Sequence, residues 1–407
     1  MKQQTRGRIS VFKPLLDPNP FLTSTVMQTK LLYSITFLIC LGTQQPLPAH
    51  EDHGITSLEE FRRPQQRVDL QIPDIEGFKT LKCDFHMHTV FSDGLVWPSI
   101  RVQEAWQEGL DAICISDHIE HQPFAKDIPT NHNRAHELAK EPAAQANILL
   151  IKGSEITRGT PPGHFNAMFI QDASVLVADK NPEADQAAID AAVAQKAFVF
   201  WNHPGWKASQ IPGSYEWTPF VDELHKADKL HGIEVMNGFG FHRKALDWCI
   251  DRKLAVMGSS DIHNLTAHDY DFENQRTRTM TLLFARDRTP EGVREALESA
   301  RTVAWSSEIL AGPEDLLKAL FKASIRVGPV HHTNDKGISN LEISNRSDFT
   351  FILEKAGGKG GLPDKIELNP RATRMLAARD ILKLLAETNF RVTNVFIRGD
   401  KNLTITL

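Results

Sequence analysis

Six histidines, two aspartates and one glutamate recur along this chain in an order that could hold metal ions. They are His86 and His88 of CDFHMHTVFSDG, Asp93 in the same stretch, His118 of ICISDHIEH and Glu155 of IKGSEITRG. His164 of PPGHFNAMF, His203 of FVFWNHPGW, and Asp261 and His263 of MGSSDIHN complete the series. Imidazole and carboxylate suit zinc, manganese or iron. Nine donors exceed the roughly four to six that one such ion takes, so two or three divalent ions are implied. A cluster of that kind acidifies water, so that hydroxide forms near neutral pH, and it clamps both oxygens of an in-line displacement. That is phosphoester hydrolysis chemistry.

An isolated HxH pair on a strand says little, although residues two apart do face the same side. Its company carries the argument. Thr89 and the Ser92–Gly94 turn bring Asp93 back beside the strand end, and Glu155 can bridge two ions where an imidazole cannot. Asp117, directly before His118, is expected to orient an imidazole from behind, a role that metal-bound histidines usually need filled. Arg158, three residues past Glu155, is the first candidate for a cation that neutralises phosphoryl oxygens, with Lys152 and Arg134 behind it. His121, with Glu120 beside it, is the candidate leaving-group acid. Aromatic residues crowd the segments after the strands: Trp97, Trp201, Trp206, Trp217, Phe239 and Phe241. Trp201 and Trp206 flank His203 and are the ones expected to face substrate.

The elements that must position these groups are legible as short apolar runs. Candidate strands cover 81–88, 112–117, 148–154, 165–170, 198–203, 232–236 and 254–260, and runs such as FVFW and LAVMG mark strands buried on both faces. Helical segments fall at 98–109, 132–145, 183–196, 218–229 and 242–252, with further helices at 290–300 and 313–322. Several have a proline just inside the start, as at Pro98, Pro182, Pro290 and Pro313. This alternation predicts an α/β fold with parallel strands, closed as a barrel, with the donors at the C-terminal strand ends. After about residue 323 alternating β segments take over, broken by one expected helix at 376–387. They predict a small β-rich, sandwich-like domain over 323–407, which holds His331 and His332 but no donor constellation.

Composition bounds the rest. The chain has 407 residues, 41% hydrophobic and 24% charged, with a formal charge of -5. Residues 1–49 read as an export segment: Lys30 precedes the apolar run LLYSITFLICL, which is too short for a stable membrane anchor. Met27 makes a better start than Met1 for such a signal, and cleavage is expected near Ala49. An uncleaved anchor is the alternative. Without residues 1–49, 41 basic and 50 acidic residues remain, a net charge of -9. That excludes the basic face of a nucleic-acid binder but not a small phosphate substrate, because three divalent ions outweigh three carboxylates. Residues 50–77 read as a flexible lead-in, and a barrel over 78–322 follows. Cys83, Cys114 and Cys249 are too few for a disulfide framework. Alternation along the strands puts Cys83 and Cys114 on different faces.

The order HxH, D, DH, E, H, H, DxH resembles the polymerase-and-histidinol-phosphatase (PHP) superfamily over roughly residues 78–310, with all nine motif positions filled. The stretches HTVFSDGLVWPSIRVQEA, GSEITRGTPPGHFNA and FWNHPGW are similar to the secreted bacterial Sb-PDE phosphodiesterases. The resemblance implies a distorted (βα)7 barrel and a two- or three-metal site of Mn, Zn or Fe. Carried over by position, His86, His88, Glu155 and Asp261 would hold one ion. Glu155 would bridge to a second ion held by His164 and His203, and Asp93, His118 and His263 would hold the third. The expected activity is an exported phosphodiesterase acting on small organic diesters. Its rivals are a phosphomonoesterase, an amide or lactone metallohydrolase, and a metal-binding protein without catalysis.

Overall fold

The computed structural model describes residues 66–407 apart from 178–181, 275 and 358–359. The expected export segment, the start at Met27 and the lead-in as far as residue 65 lie outside the described residues. Among the described residues no helix is long and apolar enough to cross a membrane.

The chain alternates as its apolar runs predict. In order come β1 (Lys79–Asp84), α1 (Pro98–Gln107), β2 (Ala112–Ile115), α2 (Arg134–Gln145), β3 (Leu149–Ile156), β4 (Phe165–Met168), α3 (Pro182–Ala194), β5 (Phe198–Trp201) and α4 (Pro219–Lys226). They are followed by β6 (Gly232–Asn237), a short β7 (Gly240–Phe241), α5 (Arg243–Arg252), β8 (Ala255–Ser259), a one-turn α6 (Thr266–Asp269) and β9 (Met280–Ala285). The strands wrap in the order β9-β1-β2-β3-β4-β5-β6-β8, a distorted α/β barrel. Pairings β1–β2, β2–β3, β5–β6 and β6–β8 are parallel. β4 runs antiparallel to both of its neighbours, contrary to the all-parallel expectation. The cause is chain length: only residues 157–164 join β3 to β4, and a parallel crossover needs about a dozen residues or more. The reversal has a functional consequence, because it puts the start of β4, and so His164, at the barrel end where the parallel strands finish. β9, which the apolar-run reading passes over, pairs antiparallel with β1.

β8 closes the barrel against β9 and against β10 (Thr302–Ser306), which follows α7 (Pro290–Glu298). Threonine hydroxyls stand in for a backbone ladder there. Gly258 N–H donates to Thr281 Oγ1 (2.9 Å), which donates back to Gly258 O (2.8 Å), and Val256 N–H donates to Thr302 Oγ1 (2.8 Å). A Cβ on Gly258 would lie 2.5 Å from Met280 O and 3.0 Å from the Ala304 Cβ. Gly258→Ala is therefore expected to destabilise the protein by about 1–3 kcal/mol through overpacking. Urea unfolding reads this directly, and an unchanged midpoint would show that the seam has slack.

Cys83 pairs with Ala112 in the β1–β2 register. Cys114 is two residues on from Ala112, so both thiols enter one inner cluster with Phe85, Ile151 and Met168. The expected opposite faces are corrected, because β2 ends at Ile115 and its alternation does not extend to His118. Both cysteines are free, and burial raises their pKa.

β11 (Ile309–Ala311) and α8 (Glu314–Ser324) lead to the C-terminal strands. These are β12 (Ile325–Thr333), β13 (Ile338–Asn345), β14 (Phe351–Gly357), β15 (Lys365–Leu368), β16 (Thr373–Arg379), α9 (Ile381–Glu387), β17 (Asn389–Phe396) and β18 (Asn402–Ile405). They form a sandwich. β12-β13-β16 is one sheet, and β15-β14-β17-β18 is the other, which joins the barrel's sheet where β17 pairs in parallel with β11. Residues 376–379, expected as helix, continue β16, since Leu376 and Ala378 alternate inward against β13. Residues 66–77, expected as a flexible lead-in, are tied down. Val68 N–H donates to Gln107 O (2.7 Å), Arg67 donates to Trp106 O (3.0 Å) and Leu110 O (2.9 Å), and Arg371 donates to Asp69 O (2.7 Å).

Candidate metal centre

The donors meet because the segments after the strands zip together at one end of the barrel. Past β1, Met87 bridges to Ile262, His88 N–H donates to Ile262 O (3.0 Å), and Asp261 N–H donates to His86 O (2.9 Å). Past β2, Glu155 N–H donates to Asp117 O (3.1 Å) and Ile119 N–H to Glu155 O (2.9 Å). Gly94 closes the turn that carries Asp93, where a Cβ would lie 2.5 Å from the His88 carbonyl. His203 (φ 26°) and Asp261 (φ 52°) sit in the left-handed region. Such backbone costs about 1–3 kcal/mol per residue and is found where surrounding contacts hold it. Here the His203 N–H donates to Glu234 Oε2 (2.7 Å).

Glu155 is the hub and is fully buried. Its Oε1 lies 2.8 Å from His164 Nδ1 and 3.7 Å from His203 Nε2. Its Oε2 lies 2.8 Å from His118 Nδ1 and 3.4 Å from Nε2 of both His86 and His88. Asp261 Oδ1 is 3.1 Å from His88 Nε2 and 3.2 Å from His86 Nε2. Asp93 Oδ1 is 3.2 Å from His263 Nε2 and 3.4 Å from His118 Nε2. All nine donors thus converge, in four overlapping groups whose ligand atoms lie within 4.8 Å of one another. The groups are His88–Asp93–His118–His263, His86–His88–Asp261, His86–Glu155–His203 and His118–Glu155–His164. The grouping implied by resemblance overlaps with these without matching them. His164 and His203 each share a group with Glu155, but not with one another.

The donor set fits divalent ions. Donors about 2.1 Å from a tetrahedral ion stand roughly 3.4 Å apart, close to the separations seen here. The ring nitrogens of His86 and His88 face each other at 3.1 Å. Electrostatics agree. Burial would raise the carboxyls of Glu155, Asp261 and Asp93, but the surrounding imidazoles override it and hold all three well below the usual carboxylate range. Burial and the neighbouring His118 push His88 down to about 3, leaving it neutral and able to donate a lone pair. Burial alone would depress His118 too, but Glu155 and Asp93 raise it to about 10, and Asp261, Glu234 and Glu155 raise His86 in the same way. Protons and metal ions therefore compete for the same nitrogens.

Behind the donors stand residues that the sequence reading missed. Glu234 Oε1 contacts His86 Nδ1 (2.8 Å), fixing that ring from its far side. Asn202 donates to Glu155 Oε1 (2.9 Å), and Asn237 donates to Asp261 Oδ2 (3.2 Å). A signal for Glu234 was present: a carboxylate inside the apolar strand GIEVMN needs a partner. Asp117 is a correction. Among the described residues it pairs with no imidazole and instead accepts from Thr89 N–H (2.6 Å), Thr89 Oγ1 (2.6 Å) and Ser92 Oγ (2.7 Å), holding the turn that carries Asp93.

Of the expected catalytic groups, His121 is half exposed at the rim, its Nε2 3.7 Å from Asp93 Oδ2. Arg158 does not present itself to the cluster as an open cation. Its buried guanidinium pairs with Glu120 Oε1 (3.0 Å) and Asp185 Oδ1 (3.1 Å). Arg134 pairs with Glu137 on the surface, and Lys152 donates to Gln171 O. Trp201 is buried against Trp248, with ring centroids 5.6 Å apart, and does not face the site; Trp206 does, at 5.5 Å from the His203 ring. Trp217 packs on Trp248, Phe241 on Phe396, Trp97 on Phe91 and Phe239 on Tyr270.

Comparison with known proteins places this geometry. Residues 325–407 match a family described as an Ig-like domain. No curated protein matches the chain. A two-domain protein of Bacteroides vulgatus, described as containing a predicted PHP-like metal-dependent phosphoesterase, superposes with a TM-score of 0.78. It is 42% identical, over 85% of this chain and 99% of that one. A metal-dependent phosphoesterase from Bifidobacterium adolescentis (19% identity, TM-score 0.37, 53% of this chain and 95% of that one) is a far more distant match. So is an amidohydrolase from Chromobacterium violaceum with bound sulfate (15%, 0.34, 46% and 89%), and neither carries an argument. Because the Bacteroides likeness spans nearly the whole of that relative, barrel and β domain together, this chain belongs to the PHP-like metal-dependent phosphoesterases.

Proposed function

We propose that this protein is an exported phosphodiesterase that hydrolyses small organic phosphodiesters. The nine donors from His86 to His263 would hold two or three divalent ions, manganese, zinc or iron. When bound, such ions acidify water and neutralise phosphoryl oxygens. The chain's own groups orient those donors: Glu234 fixes His86, Asn202 steadies Glu155, and Asn237 steadies Asp261. His121, exposed with its Nε2 3.7 Å from Asp93 Oδ2, would hand a proton to a departing alkoxide. The preference for a diester rests on one observation. Arg158, the arginine nearest the donors in sequence, is tied to Glu120 and Asp185. A dianionic monoester calls for more cationic charge than a monoanionic diester does, and Arg158 brings its own carboxylates with it. Export rests on Lys30 and the apolar run that follows it.

The test is turnover of bis(4-nitrophenyl) phosphate beside 4-nitrophenyl phosphate by protein loaded with manganese or zinc, with His88→Ala in parallel. The expected result is faster diester turnover that falls about a thousandfold in the variant, the scale of several kcal/mol of transition-state stabilisation. Monoester preference would move the assignment to a phosphatase. Turnover of neither substrate by metal-loaded protein would end the phosphoesterase reading for simple esters and turn attention to amides and lactones. Cell fractionation checks export, and a chain retained whole in the cytoplasm would refute it.

A further inference from the structure

We infer that the indole of Trp206 is a stacking subsite for a flat aromatic group that stays on phosphorus when the other ester group departs. This rests on the phosphodiester reading and deepens it. The two tryptophans that flank His203 have opposite fates: Trp201 is 1% exposed, whereas Trp206 is 48% exposed. The bare one sits at the cluster. Its ring centroid is 5.5 Å from that of His203 and 5.8 Å from that of His164. Among the described residues no other tryptophan, tyrosine or phenylalanine ring pairs with a donor imidazole; the other exposed aromatic rings, Trp97, Phe239 and Phe272, pair only with other aromatic residues.

The placement is held by the backbone. Trp206 N–H donates to His203 O (3.0 Å), a turn made directly on a donor residue. Gly205 lets that turn lie close to α5, since a Cβ there would sit 2.7 Å from His242 Nδ1. The Trp206 backbone is therefore tied to that of His203. The ammonium of Lys207 lies 4.3 Å from the indole centroid. A cation over an indole is favourable in itself. A half-bare indole beside a polar cluster gains from burial under a second flat ring, and an aromatic pair is favourable beyond the area it buries.

The experiment compares two diesters with one leaving group, bis(4-nitrophenyl) phosphate and methyl 4-nitrophenyl phosphate, in the metal-loaded wild type, Trp206→Ala and Trp206→Phe. Trp206→Ala is expected to lose about tenfold in kcat/KM on the diaryl ester, mainly through KM, several times its loss on the methyl ester; Trp206→Phe recovers most of it. Equal losses on both esters, or none, overturn the subsite. Calorimetry gives a readout independent of turnover. Phenylphosphonate should bind manganese-loaded wild type about tenfold more tightly than methylphosphonate, and Trp206→Ala should erase the difference. If the wild type cleaves neither diester, the phosphodiesterase reading fails and calorimetry alone decides the subsite. Equal affinity for the two phosphonates, or binding of neither, overturns it.

Discussion

Glu155→Gln is expected to reduce turnover by about three orders of magnitude and to lower the metal content by at least one ion per chain. The change keeps shape and removes charge. Glu155 belongs to two of the four donor groups, and its two oxygens lie within 3.7 Å of five imidazoles. A neutral amide can offer only one oxygen, and its NH2 would point a donor at an imidazole or an ion. Loss of several kcal/mol of charge stabilisation corresponds to the stated factor. Elemental analysis of dialysed protein reads the metal, and a melting curve gives a second check. Ligand at a thousand times its dissociation constant stabilises by about 4 kcal/mol, so a chelator should lower the wild-type Tm clearly and the variant's Tm much less. A variant with full metal content and wild-type turnover would remove Glu155 from the centre of the site.

The second large effect is expected at Arg101, which no reading of the sequence singled out. Its side chain is fully buried and donates to His88 O (2.8 Å), Ile262 O (3.1 Å) and Asn264 O (2.7 Å), while pairing with Glu104 (2.7 Å). It thus fastens the segment carrying His88 to the segment carrying Asp261 and His263. Arg101→Met should destabilise the protein by about 3–5 kcal/mol, because Glu104 is left buried without its counter-charge. It should also weaken metal binding by about 10–100-fold, the range for residues that position ligands without touching metal. The double variant Arg101→Met, Glu104→Met separates the two effects. Stability should return in part, since an apolar pair can replace a buried ion pair but leaves the Thr266 N–H without its Glu104 acceptor, while metal affinity stays low. Urea unfolding and metal titration are the measurements. A single variant within 1 kcal/mol of wild type in stability, with unchanged affinity, would show that the loop holds its shape unaided.

How much of this was readable beforehand depends on the range of the interaction involved. The residue types His, Asp and Glu, each directly after or beside a short apolar run, announced both the chemistry and the barrel end where it gathers, because a buried strand and a donor at its tip are local patterns. The change of texture after residue 323 announced the β domain for the same reason: period-two alternation is written in neighbouring residues. The flanking roles were not readable, since each depends on register between segments distant in the chain. Asp117 and Glu234 are both carboxylates beside histidine-bearing segments. Only the folded barrel shows that Asp117 holds a turn while Glu234 backs His86. Trp201 and Trp206 stand either side of His203 in one short stretch, yet a strand buries the first and a turn exposes the second. Arg158 looked like a free cation until the fold brought Glu120 and Asp185 to it. Residue type and order along the chain were enough to name the candidate donors. Tertiary structure alone decided which atoms face one another, because hydrogen bonds and ion pairs act over about 3 Å and the residues that supply them are tens to hundreds of positions apart.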